Sequence, residues 1–196
     1  MGFARRRRRP PGPARRRPAV PPRHLGDPLT APTDFVEAVA GFATGVVVLT
    51  VRDGRDDLGT TVTSFMSVSL DPPLVLASVA TSSYLAEVLN RQSRWAATVL
   101  SARQRALAGR FAAEGRPSAR ILLASEPHHR GGLSDALIPE TGQSALECET
   151  RQTVEAGDHT LFVAEVLSTD YIARDHKPLI RVNRRYLEDG SSAGRR

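Results

Sequence analysis

The sequence predicts a mainly β fold, a β-barrel with a few short helices. Three observations predict it. Runs rich in β-branched residues recur along most of the chain, the helical patterns between them are short, and there is no long alternation of strand and helix of the kind that builds a parallel sheet.

The pattern begins near Thr33. Asp34 followed by Glu37 resembles a helix-start box, and Phe35, Val39 and Phe42 then fall on one face at helical spacing, so a first helix is expected to pack on the core. Val46 to Val51 is a continuous apolar and β-branched run and reads as a buried strand, followed by a turn at Asp53-Gly54. Thr60 to Leu70 reads as one hydroxyl-rich strand. Alternation places Thr61, Thr63, Phe65, Ser67 and Ser69 on one side, with Val62, Met66 and Val68 on the other. Asp71-Pro72-Pro73 ends it, and Leu74 to Val79 is the next strand. Thr81-Ser82-Ser83 then opens a short helix carrying Tyr84, Leu85, Val88 and Leu89. Trp95 to Leu100 reads as strand, and Ser101 with Gln104 forms a capping box for a helix carrying Leu107 and Phe111. Ile121 to Ala124, Ser144 to Thr153, Thr160 to Leu167 and Pro178 to Tyr186 read as further strands.

Composition bounds the rest. A chain of 196 residues can hold one ordinary domain, and the expected division is a tail at 1–30, a domain at 31–190 and a loose end at 191–196. No run approaches the ~20 apolar residues of a membrane-spanning helix, so a soluble protein with no membrane partner is expected. The single cysteine, Cys148, excludes an internal disulfide and a multi-cysteine metal site and fits a reducing cytoplasm.

The net charge of +6 would suggest nucleic acid were it spread evenly. Residues 1–30 hold nine arginines against one acid, whereas the remainder carries 18 basic and 20 acidic residues, so the excess belongs to the tail alone. That tail also holds seven of the 14 prolines, a mixture that reads as disordered. An arginine arm can bind phosphates without sequence preference, or be a plain solvated extension. No aromatic residue interleaves these arginines after Phe3, so nucleic acid is not the expected partner. Export is not expected either, because no apolar segment follows them.

Several familiar chemistries are missing: there is no GxGxxG, no phosphate loop, no GxSxG elbow and no HExxH. His128-His129 reads as a Pro/Gly-rich loop in which both rings cannot easily face one metal, so no metal is expected. What remains is the hydroxyl-rich segment Thr61 to Ser69 and the Ser82-Ser83 helix start, both flanked by apolar runs. That combination suits a phosphorylated, planar ligand, because unpaired N–H groups at a helix start favour an anion. Read without further context, Ser83 is better explained as a simple helix cap, worth about 1 kcal/mol.

Four segments in order, Phe42 to Thr50 (FATGVVVLT), Gly59 to Val75 (GTTVTSFMSVSLDPPLV), Arg110 to Ala112 and Gly157 to Val166 (GDHTLFVAEV), resemble the flavin reductase-like family. These are the reductase components of two-component flavin-dependent monooxygenases, and the resemblance runs from about Phe35 to Tyr186. It implies an FMN-binding split barrel, a homodimer with FMN or FAD near the subunit interface, NADH or NADPH as hydride donor, and a partner monooxygenase that receives reduced flavin. It also admits a tightly held FMN serving another acceptor, or a non-catalytic flavin- or haem-binding module.

By position, the resemblance places Thr61, Val62, Thr63 and Ser64 along the flavin's ribityl chain and phosphate, and Ser67 and Ser69 beside the polar edge of its ring. Ser82 and Ser83 match the phosphate-side turn, Thr44 lies near the ring, Phe111 near its open face, and Tyr186 at the closing strand. His159, in the Gly-Asp-His triplet, is either a structural histidine or the group that positions the nicotinamide, and is not an obligatory base. The sequence departs from the family at Thr98, where an asparagine is common, and at Ala164, where a glycine is. Arg184 and Arg185 make the closing strand unusually basic.

Overall fold

The computed structural model describes residues 32–187, and the expectations for 1–30 and 191–196 lie outside them. The chain opens with helix α1 (Pro32–Ala40), strand β1 (Thr44–Gly45) and the hairpin β2 (Val47–Asp53) and β3 (Asp56–Val62). The strands β4 (Phe65–Leu70) and β5 (Pro73–Ala80) lead into helix α2 (Tyr84–Arg91) and strand β6 (Arg94–Val99). A 3-10 turn precedes α3 (Arg105–Ala112), followed by α4 (Ala119–Leu122), the small hairpin β7 (His128–Arg130) and β8 (Leu137–Pro139), and the long hairpin β9 (Ser144–Ala156) and β10 (His159–Ile172). A last hairpin, β11 (Ile180–Val182) and β12 (Arg185–Leu187), pairs with β1.

Seven strands form one antiparallel sheet in the order β3-β2-β6-β9-β10-β5-β4. Its two edge strands, β3 and β4, are joined only by Thr63 and Ser64. Laid flat, those edges would stand roughly 29 Å apart, yet the link can span only roughly 11 Å. The sheet must therefore roll into a barrel, and this closure brings the hydroxyl-rich segment against β5, where Ser64 O accepts from Ser78 N at 3.0 Å.

The barrel has cores on both faces of β2, which explains its uninterrupted apolar run. Val47, Leu49 and Val51 point into the interior with Val75, Ala77, Val79, Trp95 and Phe162, while α2 adds Leu85, Val88 and Leu89. Val46 and Val48 point outward beneath Leu107 and Phe111 of α3 and Leu122 and Leu123 beside α4.

Five local expectations need correction. Thr60 to Leu70 is two strands, because the sheet turns its corner at Thr63-Ser64 and a bulge follows between Ser67 and Ser69. Ile121 to Ala124 is not a strand: Ala119, Leu122 and Leu123 are buried at helical spacing, and the Ser118 hydroxyl accepts from Arg120 N at 3.3 Å, which caps the turn. Pro178 to Tyr186 is a hairpin, with Asn183 and Arg184 at φ of 49° and 62°. His128-His129 lies in β7, with His128 Nδ1 on Glu126 O and His129 between Glu140 at 3.2 Å and Asp170 at 3.0 Å. Finally, α1 forms but its apolar face is not packed on this core, for Phe35, Val36, Val39 and Phe42 are exposed.

Burial pushes the Cys148 thiol up to about 12, and Glu147 beside it acts in the same direction. The fully buried sulfur is therefore a protonated core group.

Candidate functional site

At the barrel corner, a cleft of about 330 Å³ opens between three parts of the sheet. The end of β3 and its link supply Thr60, Thr61, Val62, Thr63 and Ser64. The end of β5 supplies Ser78, Val79 and Ala80, α2 begins beside them with Ser83 and Leu85, and His159 is the first residue of β10. Arg116, on the loop after α3, completes the lining. Strand register accounts for the histidine, since His159 is the cross-strand partner of Ala80.

A second cleft of about 320 Å³ adjoins the first around Thr63, which lines both. Its walls are the apolar side chains Val36, Val39 and Phe42 near α1, with Thr44, Arg181 and Arg184 opposite.

The expected residues Thr61, Val62, Thr63, Ser64, Ser83 and His159 thus meet in one cleft, and Thr44 stands in the next. The others lie outside both. Ser67 and Ser69 continue along β4 past the corner, Ser82 is exposed at the turn before α2, and Tyr186 packs beside the outer core. Phe111 is a correction: it is completely buried in that outer core, with its ring against Gly59, and presents no face to a ligand. Thr60, Ser78, Leu85 and Arg116 were not anticipated. Arg116 sits in an irregular Gly/Pro loop, where a single basic residue carries no pattern to read.

Three of the six hydroxyls that line the cleft have already committed their hydrogens. Thr61 Oγ1 donates to Ala108 O at 2.8 Å, Ser64 Oγ to Ser78 O at 2.8 Å and Ser83 Oγ to Ala80 O at 2.7 Å. Ser83 also accepts from Ala86 N at 3.2 Å, so it caps α2 as the simpler reading required. These groups can still accept hydrogen bonds from a ligand, but in this arrangement they have no proton left for an anion.

Cationic donors come from Arg116. Its Nε donates to Gly59 O at 2.7 Å, and no described carboxylate pairs with it. Burial without a counter-charge holds its guanidinium below the ordinary arginine range. His159 Nδ1 lies 2.7 Å from Asp158 Oδ1, and this hydrogen bond from His159 holds the Asp158 carboxyl below its usual range. An ionised carboxylate only accepts, so Nδ1 carries the proton and Nε2 is left unprotonated in the neutral ring.

A half-buried cation, a band of acceptors and an apolar wall in the adjoining cleft together suit an anionic, planar, partly polar ligand. Comparison with known proteins points the same way. Residues 39–188 match the family model described as "Flavin reductase like domain". The chain is 41% identical over 145 residues to "FMN reductase (NADH) SmoA" of Agrobacterium fabrum, covering 74% of this chain and 79% of the relative. It is 34% identical over 152 residues to the reductase component of 4-hydroxyphenylacetate 3-monooxygenase of Thermus thermophilus, covering 78% and 93%. Among solved structures, the NADH:FAD oxidoreductase SgcE6 of Streptomyces globisporus, in complex with NAD and FAD fragments, superposes with a TM-score of 0.75 at 30% identity. That match covers 86% of this chain and all of the other.

Proposed function

The chain belongs to the flavin reductase-like family, and from that premise we propose that it is an NAD(P)H:flavin oxidoreductase that reduces FMN or FAD for a separate monooxygenase. The observation that carries this reading is the corner cleft, where acceptor hydroxyls, Arg116 and His159 converge beside an apolar groove. A bound flavin supplies the hydride-accepting ring, with the nicotinamide as donor, so the difficult chemistry belongs to the two cofactors. The protein's share is geometry and electrostatics.

Thr61, Thr63 and Ser64 offer acceptor oxygens to the polar side of the flavin, and Val62 keeps their strand anchored in the barrel core. Thr44 and the apolar residues of α1 line the part of the groove that suits a ring. His159, fixed through Nδ1, turns Nε2 to a nicotinamide carboxamide or to the edge of the ring, and orients these groups without moving a proton in an obligatory step.

The domain is taken as 31–190, which encloses the matched residues. The active form is a homodimer. Two apolar surfaces of the single chain lie bare: Phe35, Val39 and Phe42 around α1, and Met66, Val68 and Leu70 on the edge strand β4, with Leu70 89% exposed. Covering such patches is what a second copy would do. Light scattering should give twice the 21.2 kDa chain mass. The compartment is the cytoplasm, a reading supported by the lone cysteine; no helix among the described residues is long and apolar enough to cross a membrane.

The activity is tested by mixing purified protein anaerobically with NADH or NADPH and FMN. Consumption of the nicotinamide with matching loss of the yellow flavin colour is expected. A flat trace with both nicotinamides would overturn the proposal.

A further inference from the structure

Two arginines stand on one wall of the groove beside the corner cleft. Arg181 lies on β11, opposite Thr44 of β1 and Tyr186 of β12 in register, and Arg184 follows in the turn between β11 and β12. Arg52 and Arg130 face the buried Asp57 and Arg110 pairs with Glu126, so those cations have their anion built in. Among the described residues neither Arg181 nor Arg184 has one. Glu37 lines the hollow on the far side of Arg184 without pairing with it. No aspartate or glutamate lines the groove or the corner cleft, where Arg116 adds a third cation.

The backbone at Arg184 carries a second observation. Asn183 and Arg184 alone join the paired residues Val182 and Arg185, with φ of 49° and 62°. Two positive φ values in a two-residue hairpin loop are the pattern of a type I′ turn, whose second position favours glycine. An arginine there is strained. Asn183 N donates to Ala40 O at 2.6 Å, which pins the turn against the end of α1. The fold thus holds a cation at the mouth of the groove where glycine would be more stable.

The charges of the ligand suggest a use for it. A phosphate monoester carries about −1.5 to −2 near neutral pH, against three unpaired guanidiniums along the two clefts. The oxidised flavin ring adds no charge. Hydride transfer moves two electrons and one proton from the nicotinamide, which leaves as its oxidised cation, to N5 of the ring. With no second proton taken up, the reduced ring carries one negative charge shared by N1 and the C2 carbonyl. A groove walled by Val36, Val39 and Phe42 screens that charge less than water does, so nearby cations act on it strongly.

Resting on the flavin reading above, we infer that Arg181 and Arg184 form a cationic wall that binds the reduced, anionic flavin in preference to the oxidised one, so that the groove selects by redox state. The pair matches charge. It moves no proton.

The test is an anaerobic calorimetric titration of the full chain with oxidised and with chemically reduced riboflavin, which lacks the phosphate and so reports on the ring alone. Wild type should bind the reduced form about tenfold more tightly, the scale of one charge-assisted bond, which places the potential of the bound flavin about 30 mV above that of free flavin. R181Q and R184G should each lose part of this ratio, the double variant should bring it close to one, and R181K should keep most of it. R184G, relieved of the left-handed strain, should melt no lower than wild type. Added salt should lower the wild-type ratio, and so should acid strong enough to protonate the reduced ring. The salt and acid series need no variant, so they decide even where a variant fails to fold. A wild-type ratio of one, or a double variant that keeps the full ratio, would overturn the inference. So would an unchanged ratio with a raised KM for NADH, which would assign the pair to the nicotinamide nucleotide. Those results leave the flavin reading standing, whereas failure of wild type to bind FMN or riboflavin in either redox state ends both.

Discussion

Gly59 and Phe111 touch so closely that a methyl group on Gly59 would sit 2.6 Å from the Phe111 ring and 2.9 Å from Leu49 O. The contact joins the outer core to the strand that supplies the cleft, and Arg116 holds the same glycine through its carbonyl. Gly59→Ala must therefore push α3 away from β3 or shift the strand itself, since neither the ring nor the backbone oxygen is a flexible end. A loss of about 2 kcal/mol in urea unfolding is expected, together with weakened flavin binding. A variant as stable as wild type would show that the two layers are not in firm contact.

The buried Asp57 carboxylate is 1% exposed and is shared by Arg130 at 2.9 Å and Arg120 at 2.8 Å, with Arg52 at 3.8 Å. Burial acts to raise this carboxyl, but the Arg130 and Arg120 hydrogen bonds outweigh it and hold it below its ordinary range. Glu147 is similar: burial raises it, and bonds from the Ser134 hydroxyl, Ser134 N and Leu133 N more than reverse that effect. A folded pKa below the unfolded one means that the stabilisation is complete above the unfolded value of about 4 and is lost as pH falls through the folded value. Melting temperature should therefore hold near neutrality and drop steeply below about pH 4. Asp57→Ala strands three arginines and should lower stability by about 3 kcal/mol or more at pH 7, with a shallower acid slope. An unchanged slope would contradict the assignment.

Much of this architecture is legible in the sequence, and the failures have physical causes. The β2 run reads as buried because a strand with cores on both faces shows no polar alternation, and Val46 to Val51 shows none. The strand β5, the start of α2 at Ser83 and the Ser101-Gln104 box are likewise local signals. The corner at Thr63-Ser64 is not, because alternation continues in the letters while the chain changes course to close the barrel. The helix α4 was missed since four residues give too short a window to separate a helical from an extended period, and Ser118 is the sole local sign. Phe35, Val39 and Phe42 announce an apolar face but not whether it covers this chain or another copy. The cleft's hydroxyls stand out in the sequence as a hydroxyl-rich run between apolar segments, and family likeness adds their order along a flavin, whereas Arg116 arrives through a loop and only the folded chain shows that it lines the cleft.

Thr98, where the family commonly carries an asparagine, has a buried Oγ1 with no hydrogen-bond partner. An orphan hydroxyl in a dry layer costs about 1 kcal/mol or more. Thr98→Val preserves shape and removes it, so the midpoint of urea unfolding should rise. A fall would mean that an ordered water satisfies the oxygen.

His159→Ala should reduce turnover by roughly tenfold, about 1.4 kcal/mol of barrel-corner positioning at the transition state, and leave measurable reductase activity. Steady-state kinetics with varied NADH and FMN reads this directly. Complete loss of activity with FMN binding intact would give the histidine an obligatory chemical role instead.

If the cleft between Thr61, Ser64, Arg116 and His159 holds the flavin, a crystal of the protein soaked with FMN will show it there. Flavin density is expected in that cleft, with the phosphate at Arg116 and the ring extending past Thr63 toward Thr44. Density at another site, or a flavin bound in reverse with its ring against Arg116, would contradict it.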